Sequence, residues 1–466
     1  MNGSIFDKLD FGPFRPLLDD DDITDISYDN GGQIWIRSLS QGSMRVEVEG
    51  ATPEFVEKLA FQCSNVMGTT FNNAKPFLDA ESAELRLNFV HQSIATNGIA
   101  LVIRKTPAKI RLEKEKLLKE DYFTENIHDF LMKCVEGHCN IMVAGETGSG
   151  KTEFVKYLAS HTKSNEKIIT IEDTLELHLD KIFPQRDIVA MKTNNVASYS
   201  DVLVTCMRQN PKWILLSEVR SAEAVSAVRN SISSGHNILS TIHADKASAI
   251  PYRLYSLMET DLDVNQFLNT IYRYVQIGIH IKAFYSKEYG KFHREIDEVT
   301  EFYVDDKNEP ISHTIYRKHM GKEEMVRPSD HLIEYIENQN IDIQNIIKDL
   351  PKEMSIKIDD YSLESTMEDV KKEAQAEQPA APKVTQPVPQ SAQPQLQQAP
   401  PKVVAPQAPA QPQQQPTVQQ PKPVVQQQPV QTPAVQQQPV QTPAAPTVKQ
   451  PVVQQTIPSI SALPSN

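Results

Sequence analysis

The sequence predicts an α/β protein made of two unlike folded parts and a tail that cannot fold. Three observations carry this. Before about residue 108, short apolar stretches separated by turn residues surround one amphipathic helix, the pattern of a small α+β domain. From about Ile127, apolar strands alternate with amphipathic helices, as in a mostly parallel sheet covered on both faces. Beyond roughly Lys352 the core-forming content runs out. The expected limits are 1–108 for the first domain, 109–124 for a linker, 125–351 for the second domain and 352–466 for the tail.

In the first domain, after the acidic run Asp19 to Asp22, the apolar stretches Ile23–Tyr28 and Gln33–Ile36 flank Asn30-Gly31-Gly32, a hairpin turn, and Met44–Val48 alternates again. Thr52-Pro53 is a helix start, with a capping hydroxyl and then proline in the first turn. Phe55, Val56, Leu59, Ala60, Cys63 and Val66 follow at helical spacing. Two more strand-like stretches, Glu84–Val90 and Ile99–Arg104, are joined at Asn97-Gly98. Thr106-Pro107 closes the domain, and the charged connector Lys109 to Glu120 leads out of it.

The second domain opens with an amphipathic helix carrying Ile127, Phe130, Leu131, Cys134 and Val135. The apolar run Ile141-Met142-Val143-Ala144 reads as a buried strand, as do Lys167–Ile171, Trp213–Ser217 and Asn237–Ile242. Ser198–Arg208 and Ala222–Ser233 read as helices between them. Val275, Ile277, Ile279 and Ile281 alternate with polar residues, as do parts of Glu295–Val304, which predicts an antiparallel pair at a sheet edge. One or two helices are expected over Asp330–Leu350.

Of the 32 prolines, 21 lie at or after Pro379, and Val425–Ala434 repeats unchanged as Val435–Ala444. Such proline density removes amide donors and favours extended polyproline II, so a disordered Pro/Gln-rich tail is expected, either a spacer or a docking segment for a protein partner. Four lysines are the only charged side chains from Pro379 onward, so a net charge of −13 becomes −17 for the residues before it. An acidic body argues against nonspecific wrapping of duplex DNA, which rests on neutralising phosphates with Lys and Arg. Cys63, Cys134, Cys139 and Cys206 have neither metal-ligand nor disulfide-framework spacing and read as reduced core residues. Met1 to Lys8 lacks the basic and apolar segments of a signal peptide, and no apolar run approaches the ~20 residues of a membrane span.

Chemistry enters at Gly145-Glu146-Thr147-Gly148-Ser149-Gly150-Lys151-Thr152, which follows the strand at Ile141 and opens a helix. Every fixed position of the phosphate-binding loop is filled in its strand–turn–helix context. Three glycines let successive N–H groups point into one concavity, and the helix aims its positive end at the same anion. Lys151 supplies a charge for the β- and γ-phosphates, and the Thr152 hydroxyl is placed for Mg²⁺.

Three further stretches tell what kind of nucleotide site this is. One strand ends in Glu172-Asp173-Thr174-Leu175-Glu176, a second ends in Ser217-Glu218-Val219-Arg220, and a third delivers His243 after Leu239-Ser240-Thr241-Ile242. Carboxylates at strand ends beside such a loop hold Mg²⁺-bound water or orient the attacking one. An imidazole at the same edge can hydrogen-bond the γ-phosphate or sense its loss.

In this order the four stretches resemble the Walker A, Asp box, atypical Walker B and His box of the secretion or traffic ATPases of type II secretion, type IV pili and type IV secretion. Glu172 to Leu177 is closest to the type IV secretion, conjugation and Tad-pilus branch. Ile23–Ile36 looks like that branch's first hairpin. Arg86-Leu87-Asn88 and Arg104-Lys105-Thr106-Pro107 resemble the segment that brings arginines to a neighbour's nucleotide. The resemblance covers about Asp21 to Asp305. There are departures: Glu153 stands where the family often has Thr, Ser217 where it usually has Gly, and the cysteine cluster of many type II members is absent.

The resemblance implies a PAS-like first domain, a RecA-like second domain, ATP and Mg²⁺ as ligands, and a homohexamer at the cytoplasmic face of the cell membrane, attached to inner-membrane components of a secretion or pilus complex. It implies that Glu218, with Glu172 as its rival, positions the attacking water. Thr152, Glu218 and Asp173 would serve the metal, and Arg86 and Arg104 would act as arginine fingers, with His243 beside them. A nucleotide-dependent scaffold that does not hydrolyse ATP is one alternative. A nucleic-acid translocase is the other, although direct nucleic-acid binding is not expected of this acidic body.

Overall fold

The computed structural model describes residues 9–355 apart from positions 83, 195, 259–262, 288 and 320. The expected absence of a leader at Met1 to Lys8 and the Pro/Gln tail both concern residues outside the described ones.

Residues before the connector form a six-stranded antiparallel sheet in the order β3-β2-β1-β6-β5-β4: β1 Ile23–Tyr28, β2 Ile34–Ser38, β3 Gly42–Val46, β4 Phe77–Glu81, β5 Leu85–Val90 and β6 Ala100–Lys105. One face is apolar because each strand alternates, and it packs on helix α1, Pro53–Val66, through Val56, Leu59, Ala60 and Cys63. Thr52 caps that helix as its sequence predicts, accepting the Phe55 N–H at 3.3 Å. β4 is not legible in the sequence, since Phe77–Glu81 carries two acids and buries only Leu78 and Ala80, while Phe77 is exposed.

The connector is not extended throughout. Lys114–Lys119 makes a short helix that buries Leu117.

The second sheet has the order β15-β14-β13-β12-β7-β11-β10-β8-β9. Its strands are β7 Ile141–Gly145, β8 Ile168–Glu172, β9 Ile188–Lys192, β10 Trp213–Val219, β11 Asn237–Ile242, β12 Ile277–Ser286, β13 Lys291–Val304, β14 Pro310–His319 and β15 Lys322–Met325. From β12 to β9 every neighbour is parallel. Helices α2 (Glu125–Glu136) and α3 (Lys151–Ser160) cover one face, while α4 (Tyr199–Met207), α5 (Ala222–Ser233) and α6 (Val264–Tyr274) cover the other.

Both faces of the central strands are therefore buried, which is why they read as unbroken apolar runs. The four cysteines are free and buried.

One expectation needs correction. The strand carrying Ile277, Ile279 and Ile281 pairs antiparallel with β13, but its other edge lies parallel to β7, beside the phosphate-binding loop rather than at the rim. A crossover through α6 returns the chain in the parallel sense, whereas the tight turn near Gly290 forces the antiparallel partner. The rim is made by β14 and β15. Among the described residues no helix is long and apolar enough to cross a membrane.

Candidate active site

The loop between β7 and α3 is shaped by glycine. Gly145 has φ +147°, and a Cβ there would stand 2.5 Å from the Ile281 carbonyl oxygen and 2.7 Å from Ser149 Oγ. Gly148, at φ +79°, is pressed against the Arg37 guanidinium, 2.5 Å from a would-be Cβ. Both turns need a residue without a side chain.

Lys151 Nζ donates to the Gly145 and Glu146 carbonyl oxygens, each at 2.9 Å, and lies 3.4 Å from His243 Nδ1. Burial pushes its pKa down to about 8, against the pull of Glu218, Glu176 and Glu146.

His243 links the loop to the third strand end. Its Nε2 is 2.8 Å from Glu218 Oε1. With Nδ1 accepting from Lys151, only the tautomer protonated on Nε2 satisfies both contacts. Burial and then the Lys151 charge lower the imidazole pKa, with Glu218 opposing, so the ring is held neutral. Glu218 and His243 thus both turn toward the glycine-rich loop.

The acidic stretch after β8 divides differently from expectation. Glu172 is fully buried, and its Oε2 accepts the N–H groups of Glu176 (2.8 Å) and Leu177 (3.0 Å). It braces the turn. Asp173, expected at the metal, is ion-paired with Arg220. The carboxylate beside the loop threonine is Glu176, whose Oε2 accepts from Thr152 Oγ1 at 3.1 Å. Burial raises the Glu176 pKa, with the Thr152 bond and Arg104 pulling the other way and Glu218 adding to the rise. The sequence assigns Glu176 no role, because nothing along the chain says which of three nearby acids returns to Thr152.

The first sheet lies over this site in the same chain. Arg104 Nε is 2.8 Å from Asp25 Oδ1. Burial would lower its pKa, yet Asp25, then Glu176 and Glu218, hold it above the ordinary value. Arg104 is thus within the field of both carboxylates. Arg86 pairs with Arg104 across β5 and β6, and its side chain makes no hydrogen bond or ion pair among the described residues.

Two arginines that the sequence reading did not single out sit closer to the loop. Arg37 Nη2 donates to the Thr147 carbonyl oxygen at 3.2 Å. Arg294 of β13 donates to Leu39 O at 3.1 Å and stands 3.6 Å from a would-be Gly150 Cβ.

The residues present fit a nucleoside triphosphate with Mg²⁺. Ser149 Oγ is buried inside the loop without a hydrogen-bond partner among the described residues, the glycines leave room where a Cβ would collide, and Lys151 brings the charge. No cluster of three or more His, Cys, Asp or Glu able to hold a metal alone occurs among the described residues. Mg²⁺ in such sites keeps several waters and takes one or two protein ligands plus phosphate oxygens. Thr152, Glu176 and Glu218 suit that partial role.

A family model described as Type II/IV secretion system protein matches residues 76–373. The chain belongs to the type II/IV secretion system protein family. It is 30% identical over 271 residues to an uncharacterised Bacillus anthracis protein, covering 58% of this chain and 60% of that one. A VirB11 type IV secretion system protein of Bartonella quintana is 34% identical over 203 residues, covering 41% of this chain and 53% of that one. The chain thus spans between about half and 60% of the length of these relatives. Among solved structures, the VirB11 ATPase of the Brucella suis type IV secretion system is 24% identical, with 62% of this chain and 91% of that one covered at a TM-score of 0.33. In this family member the loop, Glu218 and His243 belong to one hydrogen-bonded cluster.

Two titrations follow from the site. Phosphate binding favours protonated Lys151, whose pKa of about 8 brings loss of its charge within reach of neutral pH. ATP affinity should be flat below pH 7 and weaken up to about tenfold per pH unit above pH 8. Calorimetry in buffers of different ionisation enthalpy should detect proton uptake near pH 8.

Glu172 has its pKa raised by burial to about 7 from 4.5. The stability it contributes is complete below pH 4.5 and lost as pH rises through 7. Glu172→Gln should therefore gain about 3 kcal/mol on wild type between pH 4.5 and 7.5 in denaturant unfolding. Parallel stability curves would contradict the assignment.

Proposed function

We propose that this chain is an ATP hydrolase that drives a type IV secretion, conjugation or related pilus-type export machine. The observation that carries this is the unbroken contact series Lys151–His243–Glu218 next to Thr152–Glu176, under an arginine from the other sheet.

Lys151 and the loop N–H groups bind the β- and γ-phosphates. Thr152, with Glu176 and Glu218, would hold Mg²⁺, which when bound would supply charge neutralisation on the phosphate oxygens. Glu218 orients the attacking water, and the neutral His243 ring fixes the Glu218 carboxylate while it registers the Lys151 charge. Arg104 offsets charge on the phosphoryl group in flight, with Arg86 as the neighbouring candidate. Asp173 is not given a metal role, since Arg220 already engages it.

Because Arg37 and Arg104 belong to the first sheet, ATP would draw the two halves together and product release would let them part. Within a homohexamer docked on inner-membrane components, that movement is the mechanical output.

Phosphate release by the purified full chain, with oligomer mass measured in parallel, tests the reading. Mg²⁺-dependent turnover by a ring is expected. Tight ATP binding without release would make the chain a nucleotide-dependent scaffold.

A further inference from the structure

Across the first sheet, strand register aligns five residues in one transverse row on the face opposite α1: Arg37, Asp25, Arg104, Arg86 and Glu81. Register partners share a face, so this row is a single edge of charge. One end, Arg37, meets the phosphate-binding loop. Glu81 forms the other end and meets the acidic turn.

Glu81 Oε1 accepts the Leu175 N–H at 3.2 Å, and Oε2 is ion-paired with Lys192 of β9. Leu175 directly precedes Glu176, the carboxylate that engages Thr152. The turn is therefore held on two sides. Glu172 within its own sheet takes the Glu176 and Leu177 amides, and Glu81 from the other sheet takes the Leu175 amide.

We propose that Glu81 is a positioning residue that sets the Glu176 carboxylate only while the first sheet is seated on the second. This rests on the hydrolase reading above.

Glu81 makes two contacts, and only one of them touches the peptide beside Glu176. The Lys192 pair is partly exposed on both sides, and pairs of that kind add little. The Leu175 contact is a charge-assisted bond to a half-buried backbone donor, and it fixes the peptide next to the working carboxylate. Displacing a catalytic group by about 1 Å costs on the order of 10²-fold in rate. The contact that is lost when the sheets part is thus also the one that places Glu176. That would keep hydrolysis coupled to closure.

Three variants of the full chain separate the two contacts. Glu81→Gln keeps an acceptor for Leu175 and loses the charge. Glu81→Ala loses both. The exchange Glu81→Lys with Lys192→Glu keeps an ion pair and loses the acceptor.

With ATP turnover and the Kd of a fluorescent ATP analogue measured together, the alanine and exchanged variants should lose about tenfold or more in kcat, with Kd changed less than about threefold. The glutamine variant should stay within about threefold of wild type. Amide exchange over 173–177 should speed up in the alanine variant but not in the glutamine one.

Wild-type turnover in the exchanged variant, or unchanged exchange of 173–177 in the alanine variant, overturns the proposal. A parallel fall in kcat and affinity also overturns it, because general disruption then explains the loss. If wild type itself released no phosphate, the hydrolase reading would fail, and amide exchange would still decide whether Glu81 holds the turn.

Discussion

Lys151→Ala should abolish measurable nucleotide binding. The Nζ group is buried at the mouth of the loop and already bridges the Gly145 and Glu146 carbonyls, so its loss removes both the charge and the tie that shapes the loop. Hydrogen bonds to charged groups contribute roughly 1.5–3 kcal/mol each. Two of them to phosphate oxygens correspond to a weakening of about 10²–10⁴ in Kd. Equilibrium titration with a fluorescent ATP analogue checks this, with the unfolding midpoint as control. Affinity within tenfold of wild type would show that the loop amides, and not Lys151, dominate binding.

Glu218→Gln should give the opposite split: ATP binding retained and turnover lost. Glutamine is isosteric, and its amide oxygen still accepts the His243 Nε2–H, so the contact series to Lys151 survives. What disappears is the negative charge that orients and deprotonates water, a function usually contributing about 10²–10⁴ in rate. Single-turnover phosphate release with saturating ATP is the measurement. Normal release would transfer the role to Glu176, the carboxylate that borders Thr152.

The strand–loop–helix unit around Lys151 was legible because its information is local: glycine spacing, an apolar run before and a helix after. The central strands were legible for the same reason, since burial on both faces leaves unbroken apolar runs such as Ile214-Leu215-Leu216. β9 was not, because Ile188–Lys192 sits at the sheet edge and is only partly buried, which dilutes its pattern. β4, β14 and β15 escaped similarly.

The site residues divide along the same line. His243 and Glu218 lie at strand ends, where parallel topology delivers side chains to one edge, so naming them required only the strands. Glu172, Asp173 and Glu176 lie within one short turn, and their separate fates depend on partners far away in sequence: the backbone of residues 176 and 177, Arg220, and Thr152. Arg37 offered no signal at all, as a single arginine in a polar position of an edge hairpin.

By itself, then, the sequence determined that a triphosphate loop stands on a parallel sheet, that two strand ends bring an acid and an imidazole to it, and which family the motifs resemble. The tertiary structure decided which carboxylate meets Thr152 and which arginines cover the loop. It also decided that Glu81 reaches the turn. The physical reason is range: backbone conformation and burial are written in neighbouring residues, whereas a hydrogen bond between two sheets depends on register and packing that no short stretch encodes.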